Sequence, residues 1–579
     1  MKQHILVTFL AILLGVTSIF FYYPIKNVPF YLTILVVIVF YFIILKVCKQ
    51  FHVFRAFDKN KRLSLLIFFI LFPLFLSVSS RSEQIHLLDN HIIVQLIVWL
   101  GTITAISFLL AAIILSTVPQ NTTRNRLQVA PVKILLYATP IVAVSMFFLV
   151  AFYPAAMTPD SLAQWEQAKT LEFTNWHPVV FTWVIMGLTQ IWDSPAIIAL
   201  FQIGLLGLVS GFLGYILERF GFSKKIIWLV LIILALSPVN AIYSITIWKD
   251  VVYSSFLVMF SLMILLLVKT GGRETKKWLY LVGFFIISLG LVFFRHNGFP
   301  VFVVTMLVTI IMYRQYWKRL VPLSLLIILL HQIITGPVYE KLSVHPSDPQ
   351  EALSIPTQQI AAVVTANGYL TKDQKDYINR LMPLDLWEEK YNPYSVDSIK
   401  FAWGDYDRFV IYNNPKQYAK VWGEMVMNNP GLAAEGLFKQ TSLIWQMNEP
   451  IDGYTSKYVT NIYHNNEFGL KNRILIGKVT KLASSYMKTT EKVKEIIWRP
   501  AVYTSIAILF IYIAYLRNNW RAWLLLLPIA LNTGSVFLAI PAQDFRYLYS
   551  NSLFAFIAIM ASFIHFQPYK DRDDLDDTV

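Results

Sequence analysis

The chain has 579 residues, of which 56% are hydrophobic and 14% charged, and its mean hydropathy is +0.55. These values exclude a soluble enzyme of this length and define an integral membrane protein. The formal charge of +15 does not argue for nucleic acid as a partner, because the basic residues sit in short clusters between apolar runs, where the positive-inside bias places them.

Lipid offers the backbone no hydrogen-bond partners, so the expected fold class is an all-α polytopic membrane protein. Fourteen segments read as spanning helices, starting near Ile5, Val28, Leu63, Ile92, Val132, Ala196, Ile226, Val251, Trp278, Phe299, Leu320, Ala501, Ala522 and Phe545. The first follows Lys2; it is longer than the apolar core of a signal peptide and lacks a small-x-small cleavage site, so it counts as a span. Residues 1–128 then form an N-terminal four-helix extension, 129–336 a transmembrane core, 501–566 the C-terminal helices and 567–579 an acidic tail. The only cysteine, Cys48, rules out an intrachain disulfide framework or a thiolate metal site and reads as a buried small hydrophobe.

Between 337 and 500 the apolar runs shorten, and Asn, Asp, Lys, Tyr and Pro become frequent. This is an extramembranous domain of mainly helical periodicity, large enough to fold as a unit. Near its end, "LKNRILIGKVTKLASSYMKTTEKVKEIIW" alternates apolar and basic residues at helical spacing. That pattern fits an interface-lying amphipathic helix and a helix packed on its own domain equally well.

The run Val179 to Trp192 is almost long enough to cross a bilayer, and it decides the side of every later loop. If it does not cross, the four short loops "ERFGFSKK", "KTGGRETKK", "YRQYWKR" and "RNNWR" fall inside with twelve Lys or Arg, and the three outside loops carry only Lys249, Arg295 and Arg546. If it crosses, the bias inverts. The run is therefore expected to lie along or dip into the outer surface, within a first outer loop at 153–195. Both termini are then cytoplasmic, and the 337–500 domain is extracellular, on a multi-pass protein of the cell membrane.

This topology gathers Asp160, His177, Lys249, Asp250, Arg295, His296, Asp544 and Arg546 on one face. Each has a plain alternative. Asp160 in "TPDSLAQW" can cap a helix, with Ser161 and Gln164 resembling a capping box, and the cations can snorkel to headgroups. Charges kept at membrane depth nevertheless tend to mark substrate paths. An acid beside several cations suits a phosphate-linked lipid donor: the cations hold the phosphate as it leaves, and the carboxylate accepts the proton of the attacking hydroxyl. Trp165, Trp176 and Trp183 offer faces for a sugar, although tryptophan is also expected at any membrane interface.

The order of a span, "MTPDSLAQWEQA", "WHPVVFTWVI" and a further span resembles the first outer loop of the GT-C superfamily of integral-membrane glycosyltransferases. The resemblance implies a GT-C-like core with two juxtamembrane helices in that loop, Asp160 at the catalytic position, His177-Pro178 in a recurring His-Pro pair, and Asp250 as the second-loop acid. "SITIWKD", "FRHNG", "IPTQQIA" and "QDFRYLY" look like the recurring pieces of a functionally uncharacterised bacterial membrane-protein family associated with GT-C. The resemblance covers about Val132 to His565. Many relatives carry two adjacent acids where this chain has Asp160-Ser161, so no metal and no other cofactor is expected.

The expected activity is inverting transfer of a sugar, hexose or pentose, from a polyprenyl-phosphate carrier to an extracytoplasmic glycan, glycolipid or protein. Asp160 is the base. His177, Lys249, Asp250, Arg295, His296 and Arg546, with Trp165 and Trp176, are substrate-binding. The rival readings are a transporter or flippase of lipid-linked or anionic substrates, against which stands the lack of an internal repeat, and a non-catalytic scaffold of the cell envelope.

Overall fold

The computed structural model describes residues 2–22, 30–81, 92–118, 128–450, 453 and 455–566. The acidic tail 567–579 and the basic positions Arg124 and Arg126 lie outside the described residues. Among those described, helices form the regular structure, joined by isolated β-bridges and no strand.

Four helices, α1 (Lys2–Tyr22), α2 (Phe30–Ala56), α3 (Lys59–Arg81) and α4 (Ile92–Thr117), precede the core. In α2 Ile44 is buried and Val37, Phe40, Tyr41 and Leu45 pack in part against α1 and α4, while Cys48 is exposed on it rather than buried. The core begins with α5 (Lys133–Ala151) and continues through α6 (Pro159–Thr170), α7 (Val179–Ile191), α8 (Pro195–Arg219), α9 (Lys224–Leu236), α10 (Pro238–Tyr243), α11 (Lys249–Lys269), α12 (Trp278–Phe293), α13 (Gly298–Met312) and α14 (Trp317–Ile333). At its centre lies α11, apolar all round and buried over nearly its whole length. Close approach of α8 to α5 depends on Gly211, where a Cβ would fall 2.2 Å from the Ile134 carbonyl oxygen; small residues serve this purpose where apolar helices meet in lipid.

Among the described residues, ten helices are long and apolar enough to cross a bilayer by themselves. They account for ten of the fourteen expected spans. The other four are shorter: α9 has 13 residues and stops at Ser237-Pro238, α12 has 16, α13 has 15, and the helix Tyr549–Ala561 has 13. At 1.5 Å per residue, 13 residues reach only about 20 Å of a hydrocarbon core about 30 Å thick. Each of the four is interrupted at the end of the bundle that carries Arg295 and Arg546: α9 breaks at Ser237 before the short α10, α12 and α13 are separated by residues 294–297, and the last helix follows a 3-10 turn at Phe545–Leu548. Irregular backbone at such depth is tolerated where protein or a cavity surrounds it.

The 13-residue α7 begins and ends at one face of the bundle. Lys169, at the end of α6, reaches Asp193, just after α7, with Nζ to Oδ1 at 2.5 Å. The basic loops converge on the opposite face: Arg219 pairs with Glu274 at 2.6 Å, Arg319 donates to the Thr275 carbonyl at 2.8 Å, and Lys61 donates to the Leu516 carbonyl at 2.8 Å.

The 337–500 segment has its own core, including Ile360, Tyr377, Trp387, Tyr418 and Met425. A second cluster joins it to the membrane helices, with Ile355, Leu443 and Ile444 against Val536, Ile540 and Leu548. The "IPTQQIA" glutamines stitch this domain internally: Gln358 donates to the Asn392 carbonyl at 2.7 Å, and Gln359 to that of Ala433 at 3.1 Å. The basic amphipathic stretch forms the helix Gly477–Thr490. It lies on the ends of α5 and α9 rather than on its own domain, with Thr480 donating to the Ala151 carbonyl at 2.9 Å and Tyr486 to that of Leu236. Leu482 remains 62% exposed on its free side, as an interfacial helix requires.

Candidate active site

Backbone pairing fixes the loop before Asp160 on both sides. Ala156 accepts from Ile247 N at 2.9 Å and donates to the Ile245 carbonyl at 3.0 Å, while Tyr463 N donates to the Met157 carbonyl at 2.8 Å. The 245–248 segment is itself held by buried Gln202, which donates to the Thr246 carbonyl at 2.7 Å and accepts from Trp248 N at 3.1 Å. Asp160 then falls in the first turn of α6. Thr158 occupies the cap position, and its backbone N–H donates to Ser161 Oγ at 3.2 Å. Neither Asp160 nor Gln164 does the capping: Gln164 is engaged with Thr182 at 3.4 Å, and the Asp160 carboxylate turns toward the bundle.

There Asp160 Oδ2 accepts a 2.7 Å hydrogen bond from Arg546 Nη1 and lies 3.8 Å from His177 Nε2 and 4.0 Å from Lys249 Nζ. Lys249 is also 3.8 Å from Asp250, whose other oxygen is 3.3 Å from Arg295 Nη1. Arg546 pairs in addition with Asp544 at 2.8 Å. Five helix ends or loops thus bring Asp160, His177, Lys249, Asp250, Arg295, Asp544 and Arg546 into one connected group. Asp250 is 1% exposed, yet neither of its carboxylate oxygens accepts a hydrogen bond of normal geometry, and His177 Nε2 is likewise without one. His296 stands beside the group, its Nε2 at 3.1 Å from the Asn175 carbonyl oxygen. Gly298 permits this corner: a Cβ there would fall 1.9 Å from the Leu291 carbonyl oxygen.

Electrostatics follow from this crowding. Burial alone would raise the Asp160 carboxyl, but the charges of Arg546 and Lys249 outweigh it and hold the group well below the usual carboxylate range. Burial, helped by the Lys249 charge, lowers His177 to about 3 and pulls His296 down as well, so both imidazoles are neutral near pH 7. Burial raises Asp544 to about 6 in spite of Arg546.

The tryptophans divide. Trp176 is 38% exposed and stacks on His177 with ring centroids 4.6 Å apart, which places a free aromatic face beside the carboxylate. Trp165 is a correction: it is 1% exposed inside the main core, because α6 packs on α7, and no sugar reaches its ring. Trp183 packs edge-on against Tyr339 at 6.0 Å.

The 337–500 domain also contributes to the site, which no motif in its sequence indicates. Val396 N donates to the Pro541 carbonyl at 2.9 Å, and Ser395 bridges Ala542, so the segment 395–401 caps the loop that carries Asp544 and Arg546. It brings Phe401 edge-on to Trp176 at 6.3 Å, and Asp397, whose carboxyl is raised by burial and, less strongly, by the charges of Glu351 and Asp160. Lys400, 2% exposed, holds Glu351 at 2.6 Å and Asp397 at 3.6 Å. "SVDSIKF" carries no motif that would have flagged these residues.

Two cavities flank Asp160. One, of about 190 Å³, is lined by Lys249, Arg295, His296 and Tyr547 together with apolar Val536, Ala539 and Ile540. The other, of about 440 Å³, is lined by Thr158, Pro159, Tyr458, Asn461, Tyr463 and His464. The first combines cations with an apolar wall, and the second offers aromatic rings, hydroxyls and an amide.

Fold and site together define an all-α, multi-pass membrane protein with a buried, ion-rich pocket at one end of its bundle. The chain belongs to a family of unknown function, DUF6020, whose model matches residues 86–574. The match takes in α4, which the sequence reading had grouped with the N-terminal extension. No curated protein and no solved structure matches the chain.

Proposed function

We propose that the protein is a GT-C-type membrane glycosyltransferase that moves a sugar from a polyprenyl-phosphate carrier to an acceptor at the extracytoplasmic face. The observation that carries this reading is the placement of Asp160 within 4.0 Å of Arg546, His177 and Lys249, at a bundle end where four helices are cut short. A cation-lined cavity with an apolar wall suits a phosphate on an isoprenoid chain, and the aromatic, uncharged cavity on the other side of Asp160 suits a hydroxyl acceptor.

As it stands, Asp160 is a weak base, because the neighbouring cations stabilise its anion. A donor phosphate bound by Lys249, Arg295 and Arg546 brings negative charge into the same group and offsets those cations. The proton affinity of Asp160 rises when the donor is in place, so deprotonation of the acceptor hydroxyl is coupled to donor occupancy. Arg546 and Lys249 then stabilise the phosphate as the glycosidic bond breaks. In-line attack inverts the anomeric carbon. Neutral His177, held by Trp176, supplies a hydrogen bond, and the 395–401 segment covers the site.

The test is Asp160→Asn in membranes supplied with labelled polyprenyl-phosphate sugars. Transfer should fall by about 10²–10⁴-fold, the usual contribution of a positioned base. Wild-type turnover by this variant would remove the assigned role.

A further inference from the structure

A cavity larger than the two beside Asp160 lies elsewhere in the described residues. It measures about 1160 Å³ and is walled by α5, α8, α11 and α12, along the halves of α8 and α11 that are remote from Asp160. Clefts that hold small molecules commonly enclose about 300–1,000 Å³. Its long wall is apolar, with Phe212, Met259, Met263 and Leu266 among its side chains. It opens sideways, where Leu208, Leu279 and Ile286 are 46%, 66% and 56% exposed. On the perimeter of a bundle of apolar helices, such an opening faces hydrocarbon.

The chemistry changes at one end of the groove. Arg219, Glu274 and Lys277 line it there, with Arg219 at 2.6 Å and Lys277 at 3.2 Å from the two Glu274 oxygens. Two cations thus face one carboxylate, which leaves one positive charge in excess, and Lys277 is 56% exposed. Arg273 and Lys276 stand exposed in the turn that carries Glu274. Midway along the groove is Gly283, where an added Cβ would meet only Met263 Cε, at 3.8 Å. The groove therefore pairs an apolar trough with a cationic end at the level where helices leave the membrane.

We propose that this groove is a site for one anionic glycerophospholipid, with its acyl chains lying between α8 and α12 and its phosphate on Lys277 and Arg219. A zwitterionic lipid fits the trough but gains less from the excess charge, since each Lys or Arg near an anionic headgroup contributes about 1 kcal/mol. The assignment is independent of the glycosyltransferase reading, because the stretch of α8 from Gln202, which holds the segment beside Asp160, to Arg219 on the cationic rim is about 25 Å long.

Native mass spectrometry of the full chain in detergent supplied with phosphatidylglycerol, phosphatidylcholine or undecaprenyl phosphate tests it. One phosphatidylglycerol should be retained at concentrations where phosphatidylcholine is lost. Gly283→Phe, which fills the trough, should abolish that retention, and Lys277→Gln should weaken it about fivefold. Leu229→Phe, at a lipid-facing position of α9 outside the groove, should leave it unchanged. If Gly283→Phe yields no folded protein, Lys277→Gln decides alone, because that side chain is largely free of packing. Equal retention of the two phospholipids, wild-type retention by Lys277→Gln or by folded Gly283→Phe, or one-for-one displacement by undecaprenyl phosphate at lower concentration would each overturn the assignment.

Discussion

Two groups of charged side chains sit at opposite ends of the same helices and are built differently. At the end remote from Asp160, Glu218 is held by Lys133 at 2.5 Å and by the Tyr137 hydroxyl at 2.8 Å, and Glu274 by Arg219 at 2.6 Å. Each acid there has a close donor. At the other end only Arg546–Asp160 and Arg546–Asp544 are close, while Lys249, Arg295 and His177 stand 3.3–4.0 Å from their nearest acids and the buried oxygens of Asp250 accept no hydrogen bond of normal geometry. Burial without full pairing is costly. An acid saturated by close donors is architecture, whereas a buried acid left without them holds its interactions open for something else.

The strongest way to break this contrast is to remove Arg546, which makes both close pairs of the under-paired group. Arg546→Gln should lower sugar transfer by about 10²–10³-fold, as the loss of a positioned charge donor does. It should also destabilise the fold by about 3–5 kcal/mol, because Asp160 and Asp544 lose their buried partner. Transfer rate and thermal unfolding in the same membranes report both. Wild-type transfer would place the donor phosphate elsewhere.

Asp250→Asn sharpens the contrast by reversing its sign. It removes the nearest carboxylate of both Lys249 and Arg295, so the fold weakens, but an anionic donor competes with one fewer carboxylate. The apparent KM for the lipid-linked donor should fall about threefold to tenfold, on the order of 1 kcal/mol of Coulomb energy across the partly solvated gap. A rise in KM would mean that Asp250 itself grips the substrate.

Much of this site was legible in the sequence, and the reasons are specific. Lys249, Arg295 and Arg546 stood out as isolated cations in loops otherwise poor in basic residues, and the charge balance of those loops grouped them on one face before any contact was known. The short apolar run at α7 was assigned by the same balance. Trp165 was misjudged because a single aromatic on a short helix is equally compatible with a sugar platform and with a core, and only the packing of α6 on α7 distinguishes them. Asp397 and Phe401 were invisible because they act through the docking of a separate domain onto Pro541 and Ala542, a contact between segments far apart in the chain. Fourteen spans were expected where ten helices among the described residues have full length, since hydropathy averages across the breaks at Ser237-Pro238 and at Asn297, where one helix ends and another begins.

A smaller effect separates the two acids that Arg546 serves. Burial raises Asp544 to about 6 from an ordinary 3.8, so the folded chain binds a proton between those values that the unfolded chain does not. The stability from this group is fully present below about 3.8 and is lost as pH rises through about 6. Asp544→Asn should therefore flatten the fall in unfolding temperature between about pH 4 and pH 6, and leave the behaviour below pH 4 nearly unchanged. An unchanged slope would place the proton on another group.

The smallest effect on activity is expected at the saturated end, and its value lies in that. Glu218→Gln keeps the shape of the side chain and the Tyr137 contact but removes the charge that Lys133 meets. Because Lys133 is 34% exposed, its ammonium finds water once the pair is broken, so the loss in stability should be only about 1–2 kcal/mol. Sugar transfer per folded molecule should remain at the wild-type rate, since α8 carries no charge from Glu218 to the Asp160 group and Gln202 holds the 245–248 segment independently. A matched pair of measurements then decides the contrast. If Glu218→Gln lowers transfer as far as it lowers stability, the two ends of the bundle are mechanically coupled, and under-pairing at Asp160 is a property of the whole helix assembly rather than of the site.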